Sequence, residues 1–240
     1  MKRLALTALL FFSTLSASAV DVKTLAPEVV GAWHLSFTTP DGEQRTPVVV
    51  VGRQKDEFVA WYVDKDEPQP FKSVAVKEDG LELMIVASEK DHGATVKMLA
   101  KPDGNNRCSG KAEYTLPGGD TGSWDFRGER VELAKLPHVS QWKLNFTTPD
   151  GEVHEPTVHI FDKAGTLYGW YAGDEYELLA KDVKVTGDRA ALSISVKLPD
   201  GNTANVTFRG KIDGSNVQGD AEYELGGSQG SFPFTGKQVK

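Results

Sequence analysis

The stretch at residues 33–43, WHLSFTTPDGE, decides the fold because the chain contains it twice. Residues 142–152 read WKLNFTTPDGE, 109 positions later, and the seven residues FTTPDGE are identical in the two stretches. Seven consecutive identities are too long a match to arise from a shared strand composition. A repeat of this kind indicates a unit that has been copied within the chain.

The correspondence extends through both halves of the chain at nearly the same spacing. Matched segments include Trp61-Tyr62 with Trp170-Tyr171 and Ala112-Glu113-Tyr114 with Ala221-Glu222-Tyr223. The offset slips by one only near residues 94–104 and near the end of each copy. We therefore predict a first repeat at residues 20–130 and a second at residues 131–240.

The apolar residues in each copy recur with a period of two. Trp33, Leu35 and Phe37 alternate with polar residues, which is typical of a strand with one buried and one wet face. Asp-Gly occurs six times, each time between strand-like runs, and favours tight turns. About eight strands per copy follow, near residues 31–39, 45–53, 57–64, 71–78, 81–88, 94–101, 107–116 and 122–128, and near 140–148, 154–162, 166–172, 178–186, 190–198, 203–210, 216–225 and 230–236.

Eight consecutive antiparallel strands leave two unpaired edges unless the sheet closes on itself. Closure removes both edges, so the predicted fold class is all-β, with two tandem homologous antiparallel up-and-down β-barrels of about eight strands each. The alternative is one large closed sheet that uses both copies. Because the inward positions are bulky, we expect packed rather than hollow interiors. Short helical turns fit the sequence near residues 22–29, 131–136 and 175–180.

The first nineteen residues have the layout of a secretory signal peptide. Lys2 and Arg3 precede an apolar run at residues 4–15, and Ala17-Ser18-Ala19 supplies a small-residue cleavage site. The run is shorter than the ~20 residues that a membrane-spanning helix needs. We therefore expect cleavage near Ala19 and a secreted or periplasmic protein without a membrane span.

Charge and cysteine content narrow the classes of partner. Loss of Lys2 and Arg3 leaves 25 basic against 34 acidic residues, a net charge of about −9, which argues against nucleic acid as a partner. Cys108 is the only cysteine, so no intrachain disulfide forms. It aligns with Val217 in the second copy, and we interpret it as a small buried residue.

Gly31-Ala32-Trp33 on the first strand of an eight-stranded meander, with Arg127 and Arg130 on the last, resembles the calycin pattern of lipocalins and fatty-acid-binding proteins. The resemblance implies that Trp33 packs beneath the barrel and that a basic residue of the closing strand covers it. It also implies a carrier of a small apolar ligand. Otherwise the chain resembles uncharacterised exported bacterial β-repeat proteins.

The sequence offers no arrangement typical of catalysis or metal binding. It has no G-x-S-x-G motif, and none of its five histidines recurs at a matched position or shows the i, i+4 helical spacing of a zinc site. We therefore predict no catalytic residues, no metal and no cofactor. A secreted hydrolase remains an alternative, since carboxylates are plentiful.

The candidate binding residues are the paired aromatics Trp61, Tyr62, Trp170 and Tyr171. Neighbours on a strand face opposite sides, so if Tyr62 and Tyr171 face inward, Trp61 and Trp170 face outward. An exposed tryptophan at the same place in both copies could stack on a sugar or anchor a protein. The other interpretations are that the tryptophans bury each other between the barrels or belong to the cores.

These observations favour an exported, non-enzymatic binding or scaffold protein built from a duplicated small barrel, with a glycan or protein as its partner. Duplication of a binding module can raise avidity when both copies engage one partner. The alternatives are the carrier of a small apolar ligand and the hydrolase.

Overall fold

A computed structural model describes residues 28–64, 68–78, 80–87, 93–104, 106–131, 138–163, 165–173, 175–198 and 202–239. The predicted signal peptide, its cleavage near Ala19 and most of the segment that joins the copies lie outside these ranges. Residues 28 and 29 form a helical turn, and the rest of the regular structure is β-strand. The all-β prediction is confirmed.

Ten strands precede the join: β1 (Gly31–Thr38), β2 (Gln44–Arg45), β3 (Val48–Gln54), β4 (Glu57–Val63), β5 (Gln69–Pro70), β6 (Ser73–Lys77), β7 (Gly80–Val86), β8 (Thr95–Pro102), β9 (Arg107–Thr115) and β10 (Thr121–Val131). Nine follow it: β11 (His138–Thr147), β12 (Val153–His154), β13 (Thr157–Lys163), β14 (Thr166–Ala172), β15 (Tyr176–Thr186), β16 (Arg189–Lys197), β17 (Thr203–Asp213), β18 (Asn216–Leu225) and β19 (Ser228–Gln238). The helical turn predicted near residues 175–180 is wrong because β15 runs through it.

The strands after the join form a closed antiparallel barrel of eight strands. Neighbours pair in chain order from β11 through β13 to β19. The ring closes where β19 pairs with β11, with Trp142 opposite Gln238 and Phe146 opposite Phe234. Closure satisfies the backbone groups that an open sheet would expose at its edges.

The remaining strands lie outside this barrel and are also antiparallel neighbours in chain order. β1 pairs with β3 and with β10, so that Trp33 is opposite Arg130 and Phe37 is opposite Phe126. Between β5 and β6, Phe71 N–H donates to Ala60 O at 2.9 Å and Lys72 N–H donates to Met84 O at 2.7 Å. These two bonds link the β4 side to the β7 side.

The two halves of the chain are joined by backbone pairing between β3 and β15. Gln54 is opposite Tyr176 and Arg53 is opposite Glu177, and Lys55 N–H donates to Glu175 O at 2.6 Å. Gln54 is buried, and its Oε1 accepts a 2.9 Å bond from Lys197 N–H. The single sheet that results runs through both halves.

β3 is buried along nearly all of both faces, and β15 is buried on both faces at Leu178–Ala180. Val49 and Val51 pack inside the first half with Trp33 and Phe58. Val48 and Val50, on the other face of β3, belong instead to the cluster that contains the core of the barrel. We call this second cluster the shared core, because it combines the barrel interior with residues of the first half: Ala32, Val48, Val50, Trp61 and Val63.

Candidate functional site

The predicted binding tryptophans are buried where the halves meet. Trp61 is 5% exposed and Trp170 is 6% exposed, and both belong to the shared core. Phe58 and Ala60 pack inside the first half, so Trp61 points out of that half, as the strand parity predicted. Its ring meets the other half of the chain instead of solvent.

Tyr62 and Tyr171 take the opposite direction. Tyr62 packs, partly buried, inside the first half, and Tyr171 lies in the barrel interior with its ring 6.5 Å from that of Phe208. The expectation of solvent-exposed tryptophans is corrected, because neither indole offers a face to a sugar or to a separate protein. The interpretation that fits is burial between the halves.

The interior of the first half differs from that of the barrel at one cross-strand row. In the first half, Met98 is opposite Leu83 and Ala112, and Ala112 is opposite Trp124. In the barrel, the same row reads Leu192, Phe208, Ala221 and Phe232. The flanking Leu and Ala are thus the same in both halves, while Met98 and Trp124 replace two phenylalanines.

The first half contains a cavity of about 390 Å³, which we call the cup and which Met98 and Trp124 help to line. It opens at the end of the strands where the turn at residues 39–43 lies. Its walls are mostly aromatic and aliphatic side chains: Phe37, Tyr62, Ile85, Ala87, Ala94, Val96, Met98, Tyr114, Leu116 and Trp124. The expectation of packed interiors is therefore wrong for this end of the first half.

The rings of the cup are mutually ordered around Trp124. Its centroid is 5.5 Å from that of Phe37, with the planes 24° apart, and 5.7 Å from that of Tyr114. The indole Nε1 of Trp124 is buried and has no hydrogen-bond partner among the described residues. A buried donor without an acceptor is costly, at about 1–3 kcal/mol.

Three of the polar residues at the rim of the cup already have partners, and the fourth is Gln69. The Thr39 hydroxyl donates to the Asp41 carboxylate, and this bond is the main reason that the pKa of Asp41 lies below its usual value. Arg45 forms an ion pair with Glu43 at 2.8 Å. The rim thus offers little unsatisfied polarity to a ligand, and the apolar walls dominate the site.

The corresponding end of the barrel is filled. Phe146 stacks on Phe232 with centroids 5.3 Å apart, and Phe208 lies 5.5 Å from Phe146. His154 covers this group, with its ring 5.2 Å from that of Phe146. Among the described residues, Phe208 and His154 thus supply two rings that the cup lacks, since Met98 and Arg45 stand in their places.

The opposite end of the first half is closed around Trp33. Arg130 lies over the Trp33 ring, 4.6 Å from its centroid, and donates from Nη1 to Val30 O at 2.7 Å. Burial lowers the pKa of Arg130. Trp33 Nε1 in turn donates to Val29 O at 2.8 Å. This is the packing that the calycin resemblance implied for Arg130, whereas Arg127 is exposed.

The chemistry available elsewhere is limited. Among the described residues, no group of three or more histidine, cysteine, aspartate and glutamate side chains is placed to hold a metal ion. Cys108 packs against the interior of the first half, and burial raises the pKa of its thiol to about 11. In the part of the chain that the structure describes, no helix combines the length and apolarity needed to cross a membrane.

Comparison with known proteins returned solved structures of low similarity. No protein-family model and no curated protein matches the chain. A crystal structure of a protein of unknown function from the DUF3598 family of Nostoc punctiforme PCC 73102 matches 89% of this chain and 97% of its own, with 13% identity and a TM-score of 0.27. One of kievitone hydratase from Nectria haematococca matches 95% of each chain, with 13% identity and a TM-score of 0.21. Scores this low support no inference about function.

The sequence contains a signal for the burial of the joining strands. The unbroken apolar runs Val48–Val51 and Leu178–Ala180 break the alternation of a half-buried strand and indicate burial on both faces. The cup has no such signal, because the smaller Met98 is offset in its row by the larger Trp124.

Proposed function

We propose that this chain is an exported, non-enzymatic protein that binds a small, mainly apolar, ring-containing molecule in the cup. The observation that carries the proposal is a cavity of about 390 Å³ whose walls are mostly aromatic and aliphatic side chains. Ligand sites are typically concave, mostly apolar and about 300–1,000 Å³ in volume. The cup has each of these properties.

The proposal includes the tandem architecture. We infer that the first half is a second copy of the barrel, closed by the β1–β10 pairing as β19 closes on β11. The matched rows and the seven-residue identity support a duplication in which one copy kept an open upper end. Export rests on the signal-peptide layout of the first nineteen residues.

An apolar ligand fits the cup better than a sugar does. A sugar presents many hydroxyl groups, and each one taken from water needs a protein partner. Of the polar residues at the rim, Thr39, Asp41 and Arg45 already form a hydrogen bond or an ion pair. The tryptophans proposed for sugar stacking are buried between the halves. We therefore place the carrier hypothesis ahead of the glycan-binding one.

The test is fluorescence titration of the mature chain with N-phenyl-1-naphthylamine, a neutral three-ring probe, and in parallel with soluble oligosaccharides. The variant Met98→Phe introduces the residue that fills the equivalent place in the barrel. We expect it to weaken probe binding at least tenfold. This corresponds to a loss of about 1.4 kcal/mol in the free energy of binding.

The matched control is Met84→Phe, the same substitution on β7 at a position that alternates with inward Leu83 and Ile85. It is expected to leave probe affinity within twofold, and circular dichroism checks that both variants fold. Equal probe binding by wild type and the folded Met98→Phe variant would refute the cup as the site. Tight oligosaccharide binding would favour the glycan hypothesis instead.

A further inference from the structure

The barrel of the second half contains a cavity at the end opposite to the cup. Its volume is about 290 Å³, and it lies beside the start of β11, the β17–β18 turn and the end of β19. We call it the base cavity. The same end of the first half encloses only about 40 Å³. The two halves are therefore open at opposite ends.

A second cross-strand row explains the base cavity. In the first half, Ala100 is opposite Leu81 and Gly110, and Gly110 is opposite Phe126. In the barrel, the row reads Ala190, Gly210, Gly219 and Phe234. Leucine becomes alanine and alanine becomes glycine, so four side-chain carbon atoms are missing from this layer. Both truncated residues, Ala190 and Gly210, line the base cavity.

The last strand of the barrel also lacks a side chain that covers this end as Arg130 covers Trp33 in the first half. Gln238 is opposite Trp142 in the register that places Arg130 opposite Trp33. Arg130 lies over the Trp33 ring, whereas Gln238 is exposed and lines the cavity. Trp142 Nε1 donates to Ser140 Oγ at 2.9 Å instead of to a backbone carbonyl. Ser140 also lines the cavity, and its own hydroxyl hydrogen can donate to another acceptor.

We propose that the base cavity is a second ligand site, which takes a compact apolar molecule of one or two rings with one hydrogen-bond acceptor for the Ser140 hydroxyl. Apolar cavities of about 150 Å³ bind benzene, so the space is sufficient for two fused rings. Its walls are mostly apolar side chains, among them Trp142, Ile160, Leu192 and Phe234. Burial of an apolar ring against them is favourable in free energy. Because a different layer of the fold forms it, this site does not depend on the cup.

The experiment counts bound naphthalene per chain by equilibrium dialysis of the mature protein. Wild type is expected to bind two molecules, one in each cavity. Ala190→Leu restores the side chain of the first half and is expected to reduce the number to one and to raise the unfolding temperature. Ala75→Leu on β6, at a position that alternates with inward Val74 and Val76, is the matched control and should leave the number at two.

The outcomes separate the two proposals. If Ala190→Leu binds one naphthalene fewer and Met98→Phe binds as many as wild type, the base cavity is supported and the cup is refuted. An unchanged number in folded Ala190→Leu, with one molecule lost in Met98→Phe, would overturn the present proposal and leave the cup intact.

A second measurement tests the polar contact with Ser140. Quinoline has the shape of naphthalene and adds one acceptor nitrogen, which is unprotonated at pH 8. In the Met98→Phe background, Ser140→Ala is expected to weaken quinoline binding about fivefold, as for the loss of one hydrogen bond, and to leave naphthalene within twofold. An equal loss for both probes would contradict a ligand contact at Ser140.

Discussion

Met98 and Phe208 occupy matched positions with different surroundings. Both lie between a leucine and an alanine of neighbouring strands, and both are almost fully buried. Phe208 reaches Phe146 and Phe234, with ring centroids 5.5 and 5.3 Å away. Methionine cannot form that aromatic group, and Met98 lines the cup instead. At the other end the smaller residue is in the barrel, where Ala190 stands in the place of Leu81 and lines the base cavity.

Cys108 provides a test of the packing on the closed side of the first half. Burial raises the pKa of its thiol to about 11, from an ordinary value of 9.0, so the reactive thiolate is scarce at pH 8. We expect the folded protein to react with a disulfide reagent at pH 8 at least tenfold more slowly than the urea-unfolded chain. Time-resolved absorbance of the released thiol measures both rates.

The raised pKa of Cys108 also determines how its contribution to stability changes with pH. The native thiol keeps its proton to higher pH than the unfolded thiol does, so its contribution to stability is complete below about pH 9 and is lost as pH rises through about 11. Equal reaction rates for the folded and unfolded chain would show that Cys108 is exposed and would contradict this packing.

At the scale of the element, β3 and β15 combine two kinds of contact. Their backbones pair at Gln54 with Tyr176 and at Arg53 with Glu177. The side chains of Arg53 and Glu177 add an ion pair at 3.4 Å. Their outer faces also enter the shared core. Both contacts require close approach of the backbones, and Gly52 permits it. A Cβ atom there would lie 2.2 Å from Glu177 O and 3.0 Å from the Trp61 ring.

Gly52→Ala is therefore expected to destabilise the protein by about 1–3 kcal/mol, since overpacking forces the backbones apart. The control is Gly118→Ala in the β9–β10 turn, where an added Cβ meets nothing within 4 Å. That change should stay within about 0.5 kcal/mol. Urea unfolding followed by tryptophan fluorescence gives both values, and similar losses in the two variants would argue against the β3–β15 contact.

The strands were the most predictable elements because their signals lie in neighbouring residues of the sequence. Alternating apolar residues and Asp-Gly turns place β1, β4, β7, β9 and β18 within a few residues of their observed bounds. The helical expectation at β15 failed because backbone pairing with β14, β16 and β3 outweighs local propensity there. The direction of Trp61 was predictable from parity. Its burial was not, since it depends on the other half of the chain.

At the scale of the whole molecule, the two halves share one β-sheet and one of two apolar clusters. The shared core joins the barrel interior to residues of β1, β3 and β4, and Trp61 and Trp170 both belong to it. The paired tryptophans therefore have a structural role in joining the halves. The cavities were beyond prediction from one sequence, because residual volume depends on which side chains meet across strands.

The central claim is that the halves are hollow at opposite ends, and xenon-pressurised crystals test it most directly, since xenon binds in empty apolar cavities. We predict one xenon peak in the cup near Met98 and Trp124, and one in the base cavity near Ala190. No peak is expected between Phe146 and Phe232, or beneath Trp33. Peaks at the same end of both halves, or none inside either, would contradict the account.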